Sequence, residues 1–202
     1  MAKLNQILVR LRESTEKNIP HDRFLMWVIS RIVPIDLMVE ERTGTIGMTE
    51  VQKRSARKNT IAKWQNRWQN SEKDIWLHRL LPDITVWYYR THGEVDSWLT
   101  QVMTSHGRFQ AYLKRISKSD DDTCIYCHEE PDDACHTLFR CNKWREQRER
   151  MEATLGQELR PRNLIHNMIE DAHKWRTVET VVKEIMHTKE EDEIRRDRER
   201  LN

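Results

Sequence analysis

The sequence predicts a mainly α-helical fold: an assembly of helices with one small irregular, cysteine-bearing insert and no extended sheet. Three observations predict it. Apolar residues recur at intervals of three and four along most of the chain, the period of one helical face. Gly and Pro number only five each in 202 residues, about a third and a half of their usual shares of roughly 7% and 5%. That is too few for the tight turns of a many-stranded sheet. All four cysteines lie between positions 124 and 141, where the helical period fails.

The elements follow in order. Leu4, Ile7, Leu8 and Leu11 lie on one face of a short helix. Pro20 and Pro34 bracket a second apolar segment, and Pro34 suits the first turn of a third helix ending near Gly44. Thr43 to Met48 reads as a loop. Between Val51 and Trp68 stand six basic residues, Lys53, Arg54, Arg57, Lys58, Lys63 and Arg67, and no acidic one. Ile61, Trp64 and Trp68 share one helical face there, which makes a basic amphipathic helix. A core helix with a solvated basic face is the plain alternative. Between Asp74 and Tyr89, Pro82 ends one element and starts another. Val95, Trp98, Leu99, Val102 and Met103 form a helical stripe stopped by His106-Gly107. Phe109, Tyr112, Leu113 and Ile116 repeat the spacing, in company with Arg108, Lys114, Arg115 and Lys118.

The sign of the charge then reverses: Asp120 to Cys135 holds seven carboxylates and neither Lys nor Arg. Beyond it, Trp144 and Met151 continue a helix to a break at Gly156. Leu164, Met168, Ile169 and Ala172 form another, and Trp175, Val178, Val182, Ile185 and Met186 a last one. Lys189 to Asn202 alternates in charge with hardly any apolar residue and reads as a frayed helical or disordered tail. The implied organisation is an N-terminal helical segment (1–50), a basic and aromatic helical region (51–119), a cysteine–histidine module (120–150), C-terminal helices (151–188) and a charged tail (189–202).

The balance of 35 Lys+Arg against 33 Asp+Glu, a net charge of +2, restricts any nucleic-acid contact to particular faces. The longest apolar stretch, Phe24 to Val39, is interrupted by Arg31, Pro34 and Asp36, and a spanning helix needs about 20 mostly apolar residues. No membrane partner is expected. The N-terminus lacks a small-residue cleavage site, so the expected compartment is intracellular, nuclear or cytoplasmic, and not secretory. Clustered cysteines favour metal in a reducing compartment over a disulfide framework.

The sharpest signal is Cys124-Ile-Tyr-Cys127, then eight residues, His136, four residues and Cys141. Two thiolates at this spacing share one tight turn and point to a common centre. A His and a Cys on a following element close a tetrahedron of donors suited to Zn²⁺. Four protein ligands leave no open position, so the site is structural. His128 and Cys135 stand next to ligands and are alternatives. His136 is preferred because it and Cys141 lie about one helical turn apart.

No catalytic constellation is evident. The acidic pairs Asp120-Asp121-Asp122 and Asp132-Asp133 read as solvated loop acids. His78, His92 and His106 read as packed or capping histidines. No Gly-rich phosphate loop, G-x-S-x-G or H-E-x-x-H occurs. The chain alone is expected to be no enzyme and to take no small-molecule substrate.

Four blocks resemble the C-terminal region of polyproteins from insect non-LTR retrotransposons, nearest the lineage that inserts into ribosomal RNA genes. They are Pro34-Ile-Asp-Leu-Met-Val-Glu-Glu-Arg42; Thr60-Ile-Ala-Lys-Trp-Gln-Asn-Arg-Trp68; His92-Gly-Glu-Val-Asp with Leu99-Thr-Gln and Thr104-Ser-His-Gly to Tyr112-Leu113; and the cysteine–histidine cluster through Trp144. The resemblance covers roughly positions 32 to 188. It implies a reverse transcriptase-associated segment that engages element RNA or target DNA, with Cys124, Cys127, His136 and Cys141 as zinc ligands. The family's Gly-Arg-Trp-Thr-His-like run is here Asp74-Ile-Trp-Leu-His78, and Cys135 stands where an acidic residue is more usual. The parent polyprotein is an RNA-directed DNA polymerase, but no Tyr-x-Asp-Asp-like turn occurs in this chain.

Two functions follow as expectations. The first is a zinc-stabilised nucleic-acid-binding module. Its phosphate contacts would come from Lys53, Arg54, Arg57, Lys58, Lys63 and Arg67, from Arg108, Lys114 and Arg115, and from Arg140, Lys143, Arg145 and Arg148. Trp64, Trp68 or Tyr126 would stack on bases. The second is a protein-interaction or structural module, or a remnant without function, in which zinc only clamps helices and the partner is a reverse transcriptase domain.

Overall fold

Eleven α-helices and one 3-10 turn make up the computed structural model, which describes residues 21–71 and 75–200. No strand occurs among the described residues; the nearest to one is an isolated antiparallel bridge between Thr123 and Pro131. The helix expected at Leu4–Leu11 lies outside the described residues. No helix among the described residues is long and apolar enough to cross a membrane. The chain divides into two compact units, the first reaching Ile75 and including Pro82–Tyr89, the second formed by Trp76–Leu81 and the chain from Arg90 onward.

The first unit contains α1 (His21–Ile29), α2 (Ile35–Gly44), α3 (Glu50–Gln69) and α5 (Ile84–Tyr88). Thr49 and Gln52 form a capping box that starts α3, satisfying two otherwise orphaned amides. The predicted stripe Ile61, Trp64 and Trp68 is buried with Val28, Leu37, Ile84 and Trp87. Trp87 Nε1 donates to the Val28 and Ile29 carbonyls at 3.0 and 3.2 Å, which closes the C-terminal end of α1. Asp36 on α2 takes a two-pronged contact from Arg67 at 3.2 and 2.8 Å. Gln65 donates to the Pro82 carbonyl at 3.0 Å and accepts from the Ile84 amide at 2.7 Å, which sets the start of α5 against α3.

The second unit contains α4 (Ile75–Leu80, from Trp76 on), α6 (Ser97–Thr104), α7 (Gln110–Arg115), α8 (Ala134–Phe139), the 3-10 turn Asn142–Trp144, α9 (Arg145–Leu155), α10 (Pro161–Glu170) and α11 (Ala172–Arg200). Gly156 ends α9 in the left-handed region at φ 70°, where Gly is free of a Cβ clash. The helix α11 packs on α6, α9 and α10 through Trp175, Val178, Val182, Ile185 and Met186, all buried. Gly93, at φ 83°, lets the backbone approach the Trp175 ring; a Cβ there would meet it at 2.2 Å.

The segment expected from Lys189 onward as a frayed helical or disordered tail is helical: α11 runs without a break to Arg200, about 43 Å for its 29 residues at 1.5 Å each. Lys189 itself is 3% exposed.

Candidate metal centre

The loop that carries the first two cysteines is built by backbone hydrogen bonds, because it has few apolar side chains to hold it. The Cys124 amide donates to the Glu130 carbonyl at 2.8 Å, the Asp132 amide to the Asp122 carbonyl at 2.7 Å, and the His128 amide back to the Cys124 carbonyl at 2.9 Å. His128 sits at φ 59°, and this residue reverses the chain. The second pair comes from α8. Asp133 caps it, accepting from the His136 amide at 2.6 Å, and the Cys141 amide donates to the His136 carbonyl at 2.8 Å. Half a helix and its exit turn therefore hold His136 and Cys141 opposite the Cys124–Cys127 turn.

The donor atoms of Cys124, Cys127, His136 and Cys141 lie within 4.8 Å of one another. Cys124 and Cys141 sulfurs are 3.8 Å apart, and Cys127 Sγ is 3.3 Å from His136 Nε2. No disulfide joins them. Backbone amides point at the sulfurs: those of Tyr126 and Cys127 at Cys124, of Glu129 and Glu130 at Cys127, and of Lys143 at Cys141. Burial, joined by the Asp132 charge and the Cys127 thiol, raises the Cys124 thiol. Burial with the charges of Cys124 and Cys127 pushes Cys141 up to about 12. At Cys127 burial also acts upward, but amide and thiol hydrogen bonds prevail and lower it. Crowded sulfurs that resist ionising together, yet are supplied with amide donors, fit a divalent cation that supplies the missing positive charge.

A second layer surrounds the donors. His136 Nδ1 lies 3.5 Å from Glu130 Oε2, and Arg140 Nε holds that same oxygen at 2.7 Å. With Nε2 turned to the cluster, Nδ1 faces the carboxylate without a hydrogen bond to it. Arg148 donates to the Cys141 and Leu138 carbonyls at 3.4 Å. Neither alternative donor joins the cluster. Cys135 takes a contact from Arg140 at 3.3 Å, and His128 is exposed.

The chain matches no family model and no solved structure. Against curated proteins it is 29% identical over 115 residues, 57% of its length, to the retrovirus-related Pol polyprotein from type-1 retrotransposable element R1 2 of Nasonia vitripennis. It is 32% identical over 89 residues, 44% of its length, to the corresponding polyprotein of element R1 4 from the same wasp. A third relative is a 115 kDa protein in element R1DM of Drosophila melanogaster, 33% identical over 82 residues, 40% of this chain and 8% of that one. The chain is thus similar to Pol polyproteins of insect R1 elements. It spans about a quarter of the two Nasonia proteins, 24% and 22% of their lengths.

The predicted nucleic-acid contacts are sorted by their surroundings. Trp64 and Trp68 are 1% and 0% exposed, so neither ring offers a face to a base: they are core residues of the first unit. Tyr126 donates its hydroxyl to Asp192 at 2.9 Å and has Lys143 and Lys189 over its ring at 5.9 and 5.5 Å. Burial, reinforced by the Asp192 carboxylate, raises its phenol. Arg57 pairs with Glu41 at 2.8 Å, Lys63 with Glu40, Arg67 with Asp36, and Lys53 with Glu50 at 2.8 Å. Arg108 is held by Glu190 and Glu193 at 2.7 Å each, Lys114 by Asp122 at 3.0 Å, and Arg145 by Glu149 at 2.8 Å. Arg115 lies over Tyr112 at 5.1 Å and meets His106 Nε2 at 2.7 Å. Arg54 and Lys58 are exposed without a carboxylate partner among the described residues, as is Lys143, which rests against the Tyr126 and Trp144 rings.

Asp132 also departs from expectation. It is no solvated loop acid but is 0% exposed, both oxygens taking Lys189 Nζ at 2.7 Å. It also accepts from Thr137 Oγ1 at 2.9 Å and from the Gln110 amide at 3.0 Å. The sequence carries one signal for this. Lys189 stands three residues after Met186 and four after Ile185, so it continues the buried stripe of α11.

Proposed function

We propose that the chain is a zinc-stabilised, non-enzymatic nucleic-acid-binding module, corresponding to the C-terminal part of a non-LTR retrotransposon polyprotein. One observation supports this most: three thiols and one imidazole brought within 4.8 Å in a chain similar to R1 Pol polyproteins. Cys124, Cys127, His136 and Cys141 would hold the ion. Three sulfurs and one nitrogen are the donor set of structural zinc. When bound, zinc supplies positive charge that keeps the thiols ionised. Asp133 and the amide donors hold the two halves of the cluster in register, with the Glu130–Arg140 pair beside the imidazole. The phosphate contacts fall to the cations with no carboxylate partner, Arg54 and Lys58 on adjacent turns of α3 and Lys143 beside the module.

Metal analysis and filter binding across a salt series test both halves. Wild type is expected to hold one zinc, and Cys127→Ser none. Each phosphate contact adds about 0.9 to the slope of log K against log[salt] on duplex DNA. The double variant Arg54→Ala/Lys58→Ala is therefore expected to lower the slope by about 1.8, whereas Arg57→Ala/Lys63→Ala leaves it near the wild-type value. A flat wild-type plot rules out phosphate contacts.

A second reading, a protein-interaction module, is supported by Ile46, Met48 and Val51, which are 83%, 40% and 77% exposed around the start of α3. Its partner would be a reverse transcriptase domain. Salt-independent association with such a domain, lost on Ile46→Ser/Val51→Ser, would favour it.

A further inference from the structure

We propose that metal occupancy of the four-donor cluster controls the docking of the second half of α11, residues 187–196, onto the cysteine–histidine module. The proposal rests on reading that cluster as a metal site.

The helix α11 is held in two different ways along its length. Up to Met186 its buried face is apolar and packs on α6, α9 and α10. That half has no need of the module. From Lys189 onward the contacts are polar. Lys189 Nζ meets both Asp132 oxygens at 2.7 Å, and Asp192 accepts from the Tyr126 hydroxyl at 2.9 Å. Both of these receptors belong to the segment that carries the metal donors; Arg108, which holds Glu190 and Glu193 at 2.7 Å each, tethers the same stretch of α11 from outside it. Tyr126 lies inside the Cys124–Cys127 turn. Asp132 is tied by its amide to Asp122 at 2.7 Å and by its carboxylate to Thr137 at 2.9 Å, on the same helix as His136.

The Gln110 amide of α7 also donates to the Asp132 carboxylate at 3.0 Å and the Ala111 amide to the Asp132 carbonyl at 3.1 Å; apart from these two contacts the position of the receptors is only as firm as the loop beneath them. Between Asp120 and Asp133 the loop has only Ile125 and Tyr126 as large apolar side chains and seven carboxylates, too little burial to order it alone. With the ion bound, the turn and α8 are locked together and Asp132 and Tyr126 stand where α11 meets them. Without it the loop opens. Lys189 would then sit buried with no counter-charge, an arrangement that favours release of the helix end into water. By linkage the coupling is reciprocal: whatever factor metal adds to docking, docking adds to metal affinity.

Amide hydrogen exchange on the full chain, with zinc(II) and after chelation by EDTA, tests this. On chelation, peptides spanning 187–196 are expected to exchange about tenfold or more faster, within the usual range of coupling between sites. Peptides spanning 175–186 are expected to change less than about twofold. Tyr126→Phe keeps every donor and the ring but removes the hook to Asp192. It is expected to keep one zinc, to speed exchange at 190–196, and to weaken zinc binding by about three- to tenfold. One bound zinc with unchanged exchange at 187–196 on chelation overturns the coupling and leaves the metal site standing. So does equal release of the whole of α11, or loosening of 190–196 in Tyr126→Phe with wild-type zinc affinity. Absence of zinc uptake overturns both.

Discussion

Replacing Asp132 with Ala probes the most heavily committed carboxylate in the second unit. Asp132 is 0% exposed and Lys189 3%, and the ammonium lies 2.7 Å from both carboxylate oxygens. Truncation leaves that ammonium inside the unit against the rings of Phe109 and Tyr126 at 5.2 and 5.5 Å. Removing one partner of a buried pair costs about 3–5 kcal/mol. The Gln110 amide and the Thr137 hydroxyl, which donate to the same carboxylate at 3.0 and 2.9 Å, lose their acceptor as well, together a further cost of about 1–3 kcal/mol. Because the two losses share one site they add incompletely, and the expected destabilisation is about 4–6 kcal/mol. A domain's whole stability is about 5–15 kcal/mol, so the variant stands near the edge of folding. The double variant Asp132→Ala/Lys189→Met removes both charges and keeps an apolar stem. Only the loss of those two hydrogen bonds, about 1–3 kcal/mol, remains, so the double variant is expected to be the more stable of the two. Urea unfolding of the zinc-loaded protein, followed by near-UV circular dichroism, gives both values. A single variant within about 1 kcal/mol of wild type, or a double variant no better than the single, would refute the pair's role, since truncating a buried charged partner costs more than that.

Three further outcomes are expected. Gly93→Ala would place a methyl group 2.2 Å from Trp175 at φ 83°; strain and overpacking together predict a loss of about 2–4 kcal/mol in urea unfolding, and a neutral result would mean that the Trp175 ring can move aside. Trp87→Phe deletes the donor to the Val28 and Ile29 carbonyls, for a loss of about 1–3 kcal/mol in the first unit; zinc stoichiometry should not change, because the donors belong to the other unit. Burial lowers the His78 pKa below 6.5, so as pH falls the unfolded chain takes up its proton before the folded one. Stability carried by neutral His78 is present above pH 6.5 and is lost as pH falls below it. Wild type should therefore lose stability relative to His78→Gln between about pH 7.5 and 5.5; parallel stability curves would remove His78 from the account.

The helices were legible because each carries its own signal. The Ile61–Trp64–Trp68 stripe, the break at Gly156 and the stripe from Trp175 to Met186 recur in the structure as core and cap. The four-donor cluster was legible for the same reason: Cys124 and Cys127 share a turn, and His136 and Cys141 share a helix end, so spacing alone brings each pair together. Only the joining of the two pairs is tertiary, and four donors of matching chemistry make that step readable too. In the tail, charge alternation hides the continuity of the helix with the stripe before it. A lysine at a stripe position looks like the end of a buried face when its carboxylate partner stands 57 residues away in sequence.

The basic runs misled in the opposite direction, and the reason bears on any nucleic-acid contact. Counting along α3 gives six cations and, apart from the opening Glu50, no acid, which reads as a uniform phosphate-binding face. The acids that answer it lie on α2. Asp36, Glu40 and Glu41 recur at intervals of four and one, which places them on the side of α2 that meets Arg67, Lys63 and Arg57. A local charge count cannot register a pairing between two helices. It therefore overstates the free positive charge of α3 most where α3 is packed, in its C-terminal half beside the buried tryptophans. Arg54 and Lys58, one helical turn apart on the exposed N-terminal half, are what the pairing leaves over. Two adjacent cations can follow one stretch of backbone phosphates but cannot encircle a duplex. Binding through this face is accordingly expected to be weak, steeply salt-dependent for its strength and indifferent to base sequence; any specificity would have to come from contacts elsewhere on the chain or its partners.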